Sequence, residues 1–515
     1  MGRAPVSAGS LLSSRALVIL LVVVVVCQLV AFVVTGRDSG PDSDEALFAY
    51  IAHFWATGDL LPYRGAFENK PPGIFLAYRL FMGDGSGMFG GTRVAAAFAQ
   101  LLAAALLGLL VSSFQGRRVG LAAGLLVATF LLRRGVHGNL ADTEAFMAPF
   151  VCAGMLIAWL SVTRQRAGFA FMGGILLGCA FLFKPVAVAE IAALVLSLVL
   201  LRMPMAALLA LLGVAVPIAL SFAWAASAGI LREYWQVAFV SLAAHDTHPA
   251  ALGDIWRSVS TFLMPYLRTD GIGLIALAAL ALAPGWKAPE PIRPLLVLAR
   301  WWALLSILAM AGSGWFYPHQ YKPVVPALVL LGACAAGRFR DMDRQSRNVI
   351  GFAAAAFLTL FLWEPADCIM SARADKSDWV AAHRPLVDYI QRETSDGEPV
   401  YIVGLRSEVY ILSDRVSPSR FFNVVFVQGH VAELVGDLSR DPPGVIAIDA
   451  LGRRCMRGEF GDALEAFIAS RYTQATVPDL ENWTVYRLSR PAKMPDRRRG
   501  SVAPLMNGDS IPPRR

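Results

Sequence analysis

Two carboxylates stand side by side at Asp44-Glu45, and further along a lysine is held in the run Asn69-Lys70-Pro71-Pro72-Gly73. A carboxylate can take a proton from an attacking hydroxyl, and a lysine can bind a phosphate as a point charge. Leu47, Phe48, Ile51, Phe54 and Trp55 recur at helical spacing, which predicts an amphipathic helix over 43–56 lying at a membrane interface. Asp44 heads the row Asp44, Phe48, Ile51, Trp55. That row carries its carboxylate toward the buried face and raises its pKa unless a cation or donor compensates. The same residues also fit a plain helix start, with Asp42 as N-cap, Glu45 answering from N3 and Asp44 complementing the dipole. Lys70 has a plain alternative too, as a snorkelling lysine ahead of a rigid turn.

A second acidic cluster lies in His137-Gly138-Asn139-Leu140-Ala141-Asp142-Thr143-Glu144. Acids at a bilayer edge are costly unless paired or hydrated, so Asp142 and Glu144 are functional candidates, with a helix N-cap by Asp142 as the simpler alternative. Lys184-Pro185 interrupts an apolar stretch and must form a surface turn if both flanks span. Arg268 adds a further cation, and Trp315 to Pro323 contains His319, Tyr321 and Lys322. An aromatic belt explains the tyrosines there but not a histidine and a lysine together. His245-Asp246-Thr247-His248 offers only two imidazoles in a loop, weak grounds for a metal; no metal and no cofactor are expected.

The elements that carry these residues are membrane spans. Hydrophobic residues make up 56%, charged residues 16%, and the mean hydropathy is +0.54, which marks a polytopic membrane protein. Residues 17–34 form an apolar run of spanning length, read as a retained first span and not a removed signal. Further apolar segments at 94–114, 119–132, 145–163, 168–183, 186–201, 205–228, 271–284, 299–314, 323–336 and 348–363 bring the total to about eleven spans, or up to about thirteen if 236–244 or 258–267 also enters the bilayer. Arginines and lysines near the N-terminus, at 117–118, 164–166, 202, 287–293 and 338–347 fall on one side, so that side is cytoplasmic. Arg133 and Arg134 break the pattern. The other side holds 37–90, 134–144, 184–185, 229–270, 315–322 and everything after 364, an N-inside, C-outside topology.

The organisation expected is therefore a cytoplasmic 1–14, a membrane domain over 15–363 with large outer loops at 37–90 and 229–270, a soluble domain over 364–490 and a disordered basic tail over 491–515. In the soluble part, helices are predicted at 385–395, 429–438 and 460–470, with strands at 400–403, 424–427 and 445–448; the alternation predicts a small α/β domain. Four cysteines lie in spans and act as small hydrophobes; Cys368 and Cys455 lie outside, where pairing is open. The net charge of +8 fits anionic lipid surfaces, and no nucleic-acid module, P-loop or dinucleotide fingerprint is present.

Taken together, Asp44-Glu45, the stretch from Gly58 to Tyr63, Asn69-Lys70-Pro71-Pro72, Asp142 at a span start, Lys184-Pro185 and the run from His319 to Pro326 resemble bacterial membrane glycosyltransferases of the GT-C superfamily. The similarity is to the group of dolichyl-phosphate-mannose protein mannosyltransferases and the lipid A aminoarabinose transferase, over about residues 15–340. The chain has Glu68-Asn69-Lys70 where relatives often carry Glu-Lys, and His319-Gln320-Tyr321 where some carry His-Tyr. The resemblance implies an inverting transfer of a sugar from a polyprenyl-phosphate donor to an acceptor hydroxyl on the outer face of a bacterial inner membrane. Asp44 would be the general base. Lys70 would bind the donor phosphate, with Lys184, Arg268 and Lys322 as further cations, Asp142 orienting acceptor or donor, and Glu45, Glu144, His319 and Tyr321 as further binding residues. Partners would be the lipid-linked sugar, membrane lipids and a glycan, lipid or protein acceptor. A multispan lipid or sugar transporter or flippase is the alternative; against it, the acids sit at one face and no inverted repeat is evident.

Overall fold

The computed structural model describes residues 14–36, 39–241, 252–268, 292–335, 361–372, 379–480 and 482–489, with Asp343, Ala354, Leu358 and Thr359. The expected spans at 271–284 and most of 348–363, the His245 to His248 cluster, the side chain of Cys368 and the tail over 491–515 lie outside the described residues.

The membrane part is a helical bundle. Its helices are α1 (Ser14–Ala31), α2 (Ser43–Thr57), α3 (Gly73–Phe81), α4 (Gly90–Gln115), α5 (Arg117–Leu131), α6 (Thr143–Arg164), α7 (Gly168–Phe181), α8 (Val188–Leu200), α9 (Pro204–Ser227), α10 (Leu231–Trp235), α11 (Leu252–Ser258), α12 (Arg293–Gly312) and α13 (Val324–Cys334). Five stretches are long and apolar enough to cross a bilayer: Ala16–Thr35, Gly90–Gln115, Thr143–Arg164, Pro204–Ser227 and Arg293–Gly312. Gly168–Phe181 and Pro185–Leu200 are shorter apolar helices. Among the described residues the hydropathy reading thus finds its helices within a few positions.

Small residues bring the helices together. A Cβ on Gly174 of α7 would lie 2.1 Å from the Ala210 carbonyl oxygen of α9, so the two backbones pack at a distance that only glycine permits. Arg133 breaks the charge rule because it is not a loop charge in water. Its guanidinium meets Glu364 at 2.6 Å and lies 4.3 Å from the centre of the Phe361 ring.

Beyond α14 (Trp363–Ala372) come α15 (Trp379–Glu393), β1 (Val400–Val403), α16 (Glu408–Ser413), α17 (Val431–Arg440), β2 (Val445–Ile448), α18 (Ala450–Cys455), α19 (Gly458–Arg471), β3 (Tyr472–Ala475) and β4 (Thr484–Leu488). The sheet has the order β1-β2-β4-β3. β1 and β2 run parallel with Val400 opposite Val445, and β4 pairs antiparallel to both β2 and β3. The expected strand at 424–427 is instead a single 3-10 turn, Val424–Phe426, because the Asn423 side chain accepts from the Val425 amide and turns the chain. β3 and β4 were not expected.

The helix over 43–56 also differs from expectation. From Ala46 to Ala52 every residue of α2 is buried, so it is not amphipathic on a lipid surface. The α/β domain covers its second side: Tyr50 stacks on Phe422 at 4.2 Å, the Ser417 amide donates to the Tyr50 hydroxyl at 3.2 Å, and Phe67 packs against Phe421 at 5.2 Å. The Phe67 amide donates to the Arg420 carbonyl at 2.8 Å.

Candidate active site

The loop after α1, the turn before α6, the turn between α7 and α8, and the segment before α13 meet at one end of the bundle. Their meeting is visible in the contacts that cross between them.

α2 starts with a full capping box. The Asp42 side chain accepts from the Asp44 amide at 3.1 Å, and Glu45 Oε2 accepts from the Asp42 amide at 3.2 Å. The plain helix-start reading therefore holds for Asp42 and Glu45. Glu45 is 1% exposed and also meets Arg93 of α4 at 2.6 Å, while its Oε1 accepts from the Ala141 amide at 2.8 Å. Arg93 in turn donates to the Ser39 and Gly40 carbonyls. Glu45 is thus spent on holding α2, α4 and the 141 turn together and is closed to a substrate, contrary to the binding role expected for it.

Asp44, one residue earlier, is exposed. The row it heads is buried at Phe48 and Ile51, but the helix start leaves Asp44 itself open, so its expected placement on the buried face is not what forms. Its pKa nevertheless rises, to about 6. The mass of protein around it thins its water, Asp42 and Glu68 add like charge, and Lys70 and Lys184 oppose the rise. Those influences put Asp44 in the same electrostatic neighbourhood as both lysines.

Lys70 is fixed from its backbone. Tyr63, buried and held at a positive φ of 69°, donates its hydroxyl to the Lys70 carbonyl at 2.9 Å; a tyrosine in that backbone region is strained and must be held by its surroundings. The Lys70 ammonium meets Glu68 at 3.1 Å and Asn69 beside it, and its side chain remains 18% exposed. Just after the two prolines, the Gly73 amide donates to the Leu182 carbonyl at 2.9 Å, and a Cβ there would lie 2.5 Å from that oxygen. The glycine lets the Lys70 loop touch the turn that carries Lys184.

Lys184 donates to Glu144 Oε1 at 2.6 Å and is also 18% exposed. His319 Nε2 lies 3.8 Å from the same carboxylate oxygen. Burial pushes the His319 imidazole down to about 3, with Lys184, His137 and Lys322 adding to the effect and Glu144 opposing it, so the ring is neutral near pH 7. Lys322 is fully buried, donating to Asp142 Oδ2 at 2.6 Å and to the His137 carbonyl at 3.0 Å. Asp142 also caps α6, accepting from the Ala145 amide at 2.9 Å. The capping alternative for Asp142 is therefore realised together with an ion pair.

The candidates separate into two groups. Asp44, Lys70, Lys184 and His319 are brought together with side chains that a ligand can reach. Glu144, Asp142, Lys322 and Tyr321 lie beneath them: Glu144 and Tyr321 are each 1% exposed, and Tyr321 donates to the Phe316 carbonyl and stacks on Tyr266 at 3.6 Å. Burial closes Glu144, Lys322 and Tyr321 to direct substrate contact. Arg268 is exposed, and no contact among the described residues ties it to the cluster. No group of three or more potential metal ligands occurs among the described residues. Sequence reasoning passed over Arg93; a lone arginine in the first turn of an apolar span was the signal, since such a charge demands a partner.

No family profile matches the chain, and no curated protein does. Solved structures do. ArnT from Cupriavidus metallidurans bound to undecaprenyl phosphate superposes with a TM-score of 0.59 at 15% identity, covering 92% of this chain and 98% of that one. The fold is GT-C. The apo form of ArnT gives 0.58 at 16% identity over the same shares of the two chains. The oligosaccharyltransferase AglB from Archaeoglobus fulgidus, in complex with an inhibitory peptide and a dolichol-phosphate, is more distant at 0.44 and 12% identity, over 84% of this chain and 69% of that chain. The GT-C match to ArnT runs through both the bundle and most of the α/β part, since 92% of the chain is covered.

Proposed function

We propose that this protein is an inverting glycosyltransferase that moves a sugar from a polyprenyl-phosphate donor to an acceptor hydroxyl on the outer face of a bacterial inner membrane. The observation that carries the reading is the grouping of a solvent-reachable carboxylate, Asp44, with two partly exposed lysines, Lys70 and Lys184, on a fold shared with a protein crystallised with undecaprenyl phosphate.

Lys70 and Lys184 bind the donor phosphate. The acceptor oxygen attacks the anomeric carbon from the side opposite the phosphate as the bond from that carbon to the phosphate oxygen breaks. The electron pair leaves with the polyprenyl phosphate, whose growing charge the lysines stabilise. Asp44 takes the acceptor proton, a role for which a pKa near 6 is suited: ionised at neutral pH, yet more basic than an ordinary aspartate. Glu144 and Glu68 hold the lysines in place, and Glu45, Arg93, Asp142 and Lys322 brace the turns beneath. The α/β domain, outside the membrane with the C-terminus, guides the acceptor. The sugar, hexose or pentose, and the acceptor, a lipid, a glycan or a protein, are set by contacts beyond this cluster.

The test compares cells lacking the protein, complemented with wild type or Asp44→Asn, by mass spectrometry of extracted glycolipids and envelope glycoproteins. A single sugar mass present only with wild type, at equal membrane levels of both proteins, is the expected result. Full restoration by Asp44→Asn removes the base assignment, and no change in any strain removes the transferase reading.

A further inference from the structure

A cavity lies away from the lysine cluster, between the start of α2 and the α/β domain. It has a volume of about 570 Å³, and its walls include Asp42 and Ser43 on one side and His383, Arg406, Arg454 and Trp483 on the other. That volume is in the range of small-molecule sites. One wall ends on the residue directly before Asp44.

The chemistry of the walls is uneven. Their carboxylates are committed: Asp42 caps α2, and Asp449 caps α18 by accepting from the Gly452 amide. His383 donates its Nδ1–H to the Trp379 carbonyl at 2.7 Å and turns Nε2 to the buried Glu408 at 3.5 Å. Arg406 stands 3.5 Å from the same Glu408 with its side chain half exposed, and Arg454 is exposed at the end of α18. Glu408 itself is 1% exposed and backs the wall behind both residues; burial raises its carboxyl to about 7 with Arg406 opposing, and burial lowers the His383 imidazole. Two guanidiniums facing an open cleft favour an anion, because their planar forks match carboxylate and phosphate oxygens. Trp483 adds a half-buried aromatic surface with an apolar face and a polar edge, the kind of wall on which a sugar ring lies flat.

We infer that this cleft binds an anionic saccharide, a sugar unit bearing a carboxylate or phosphate, and presents it to Asp44 as the acceptor. The acceptor role rests on the transferase reading; saccharide binding in the cleft does not. Arg406 and Arg454 hold the anionic group, Trp483 supports the ring, and a neighbouring hydroxyl reaches past Ser43 to the base.

The test uses the full-length protein in lipid nanodiscs and four probes: glucuronic acid, glucose 6-phosphate, glucose and inorganic phosphate, each titrated by calorimetry. The two anionic sugars are expected to bind about tenfold or more tighter than glucose or phosphate, and Arg454→Gln to weaken them about tenfold through loss of a charge-assisted contact. Because Arg454 is exposed, the variant keeps its fold, checked by an unchanged melting temperature. Undecaprenyl phosphate affinity is expected to stay the same in Arg454→Gln. Equal binding of all four probes, binding of none, or full retention in Arg454→Gln overturns the proposal. If anionic sugars bind as described but no strain transfers a sugar, the transferase reading fails and the cleft stands; if transfer proceeds at the wild-type rate in the Arg406→Gln, Arg454→Gln double variant, the acceptor role fails and the transferase reading stands.

Discussion

Asp44 and Glu45 are adjacent acids with opposite fates, and the difference is one step around a helix. Glu45 turns inward to Arg93 and becomes structure; Asp44 stays open and keeps a proton affinity raised to about 6. A general base works only when ionised, so transfer should fall about tenfold per pH unit below 6 and level off above it. His319, neutral down to about 3, adds no second limb near neutrality. A kcat/KM profile between pH 4.5 and 8 checks this, and a flat profile removes Asp44 as the base. Asp44→Asn should lower kcat by about 10²–10⁴-fold with little change in donor affinity, whereas Lys70→Met should chiefly weaken undecaprenyl phosphate binding. The positions of both residues were legible in the sequence because they depend on local features, a helix start and a diproline turn. The inward turn of Glu45 was not, because its partner Arg93 stands on another helix and no local pattern links them.

At the scale of elements, α2 is held by a buried ion pair whose two members must be removed together or not at all. Glu45→Ala strands a guanidinium in the interior and should cost about 3–5 kcal/mol, while Glu45→Ala with Arg93→Met should recover part of that loss; thermal unfolding in detergent measures both. Tyr63→Phe removes the hydroxyl that fixes the Lys70 carbonyl. It should weaken undecaprenyl phosphate binding severalfold while leaving the melting temperature within a few degrees, a loss about the size of one neutral hydrogen bond. Among the described residues hydropathy located the apolar helices within a few positions, five of them long enough to cross a bilayer, since each buries an apolar segment against lipid or a neighbour regardless of distant partners. It failed for Val424 to Val427, where four apolar residues suit a strand and a single asparagine side chain bent them into a turn. It also missed β4, whose Thr484 to Leu488 mixes polar and apolar residues and is defined only by pairing with β2.

At the scale of the whole molecule, the α/β domain and the bundle share one apolar core, with α2 between them. Phe422→Ala removes the ring stacked on Tyr50 and should loosen the domain on its seat. Amide exchange over 417–430 is then expected to rise, and water returning near Asp44 should move the acidic limb of the rate profile below 6, since the protein around it, by thinning its water, is what raises that carboxyl. The docking was illegible because an apolar helix face looks the same whether lipid or protein covers it.

The contact between Gly73 and Leu182 joins the Lys70 loop to the Lys184 turn through main-chain atoms alone. The two cations therefore ride on a single splice: exchanging either side chain changes the charge on offer but not the gauge between their attachment points. A tilt of α3 against α7 would have to break that hydrogen bond first, so on the proposed reading the two lysines meet a phosphate at a spacing set by the main chain.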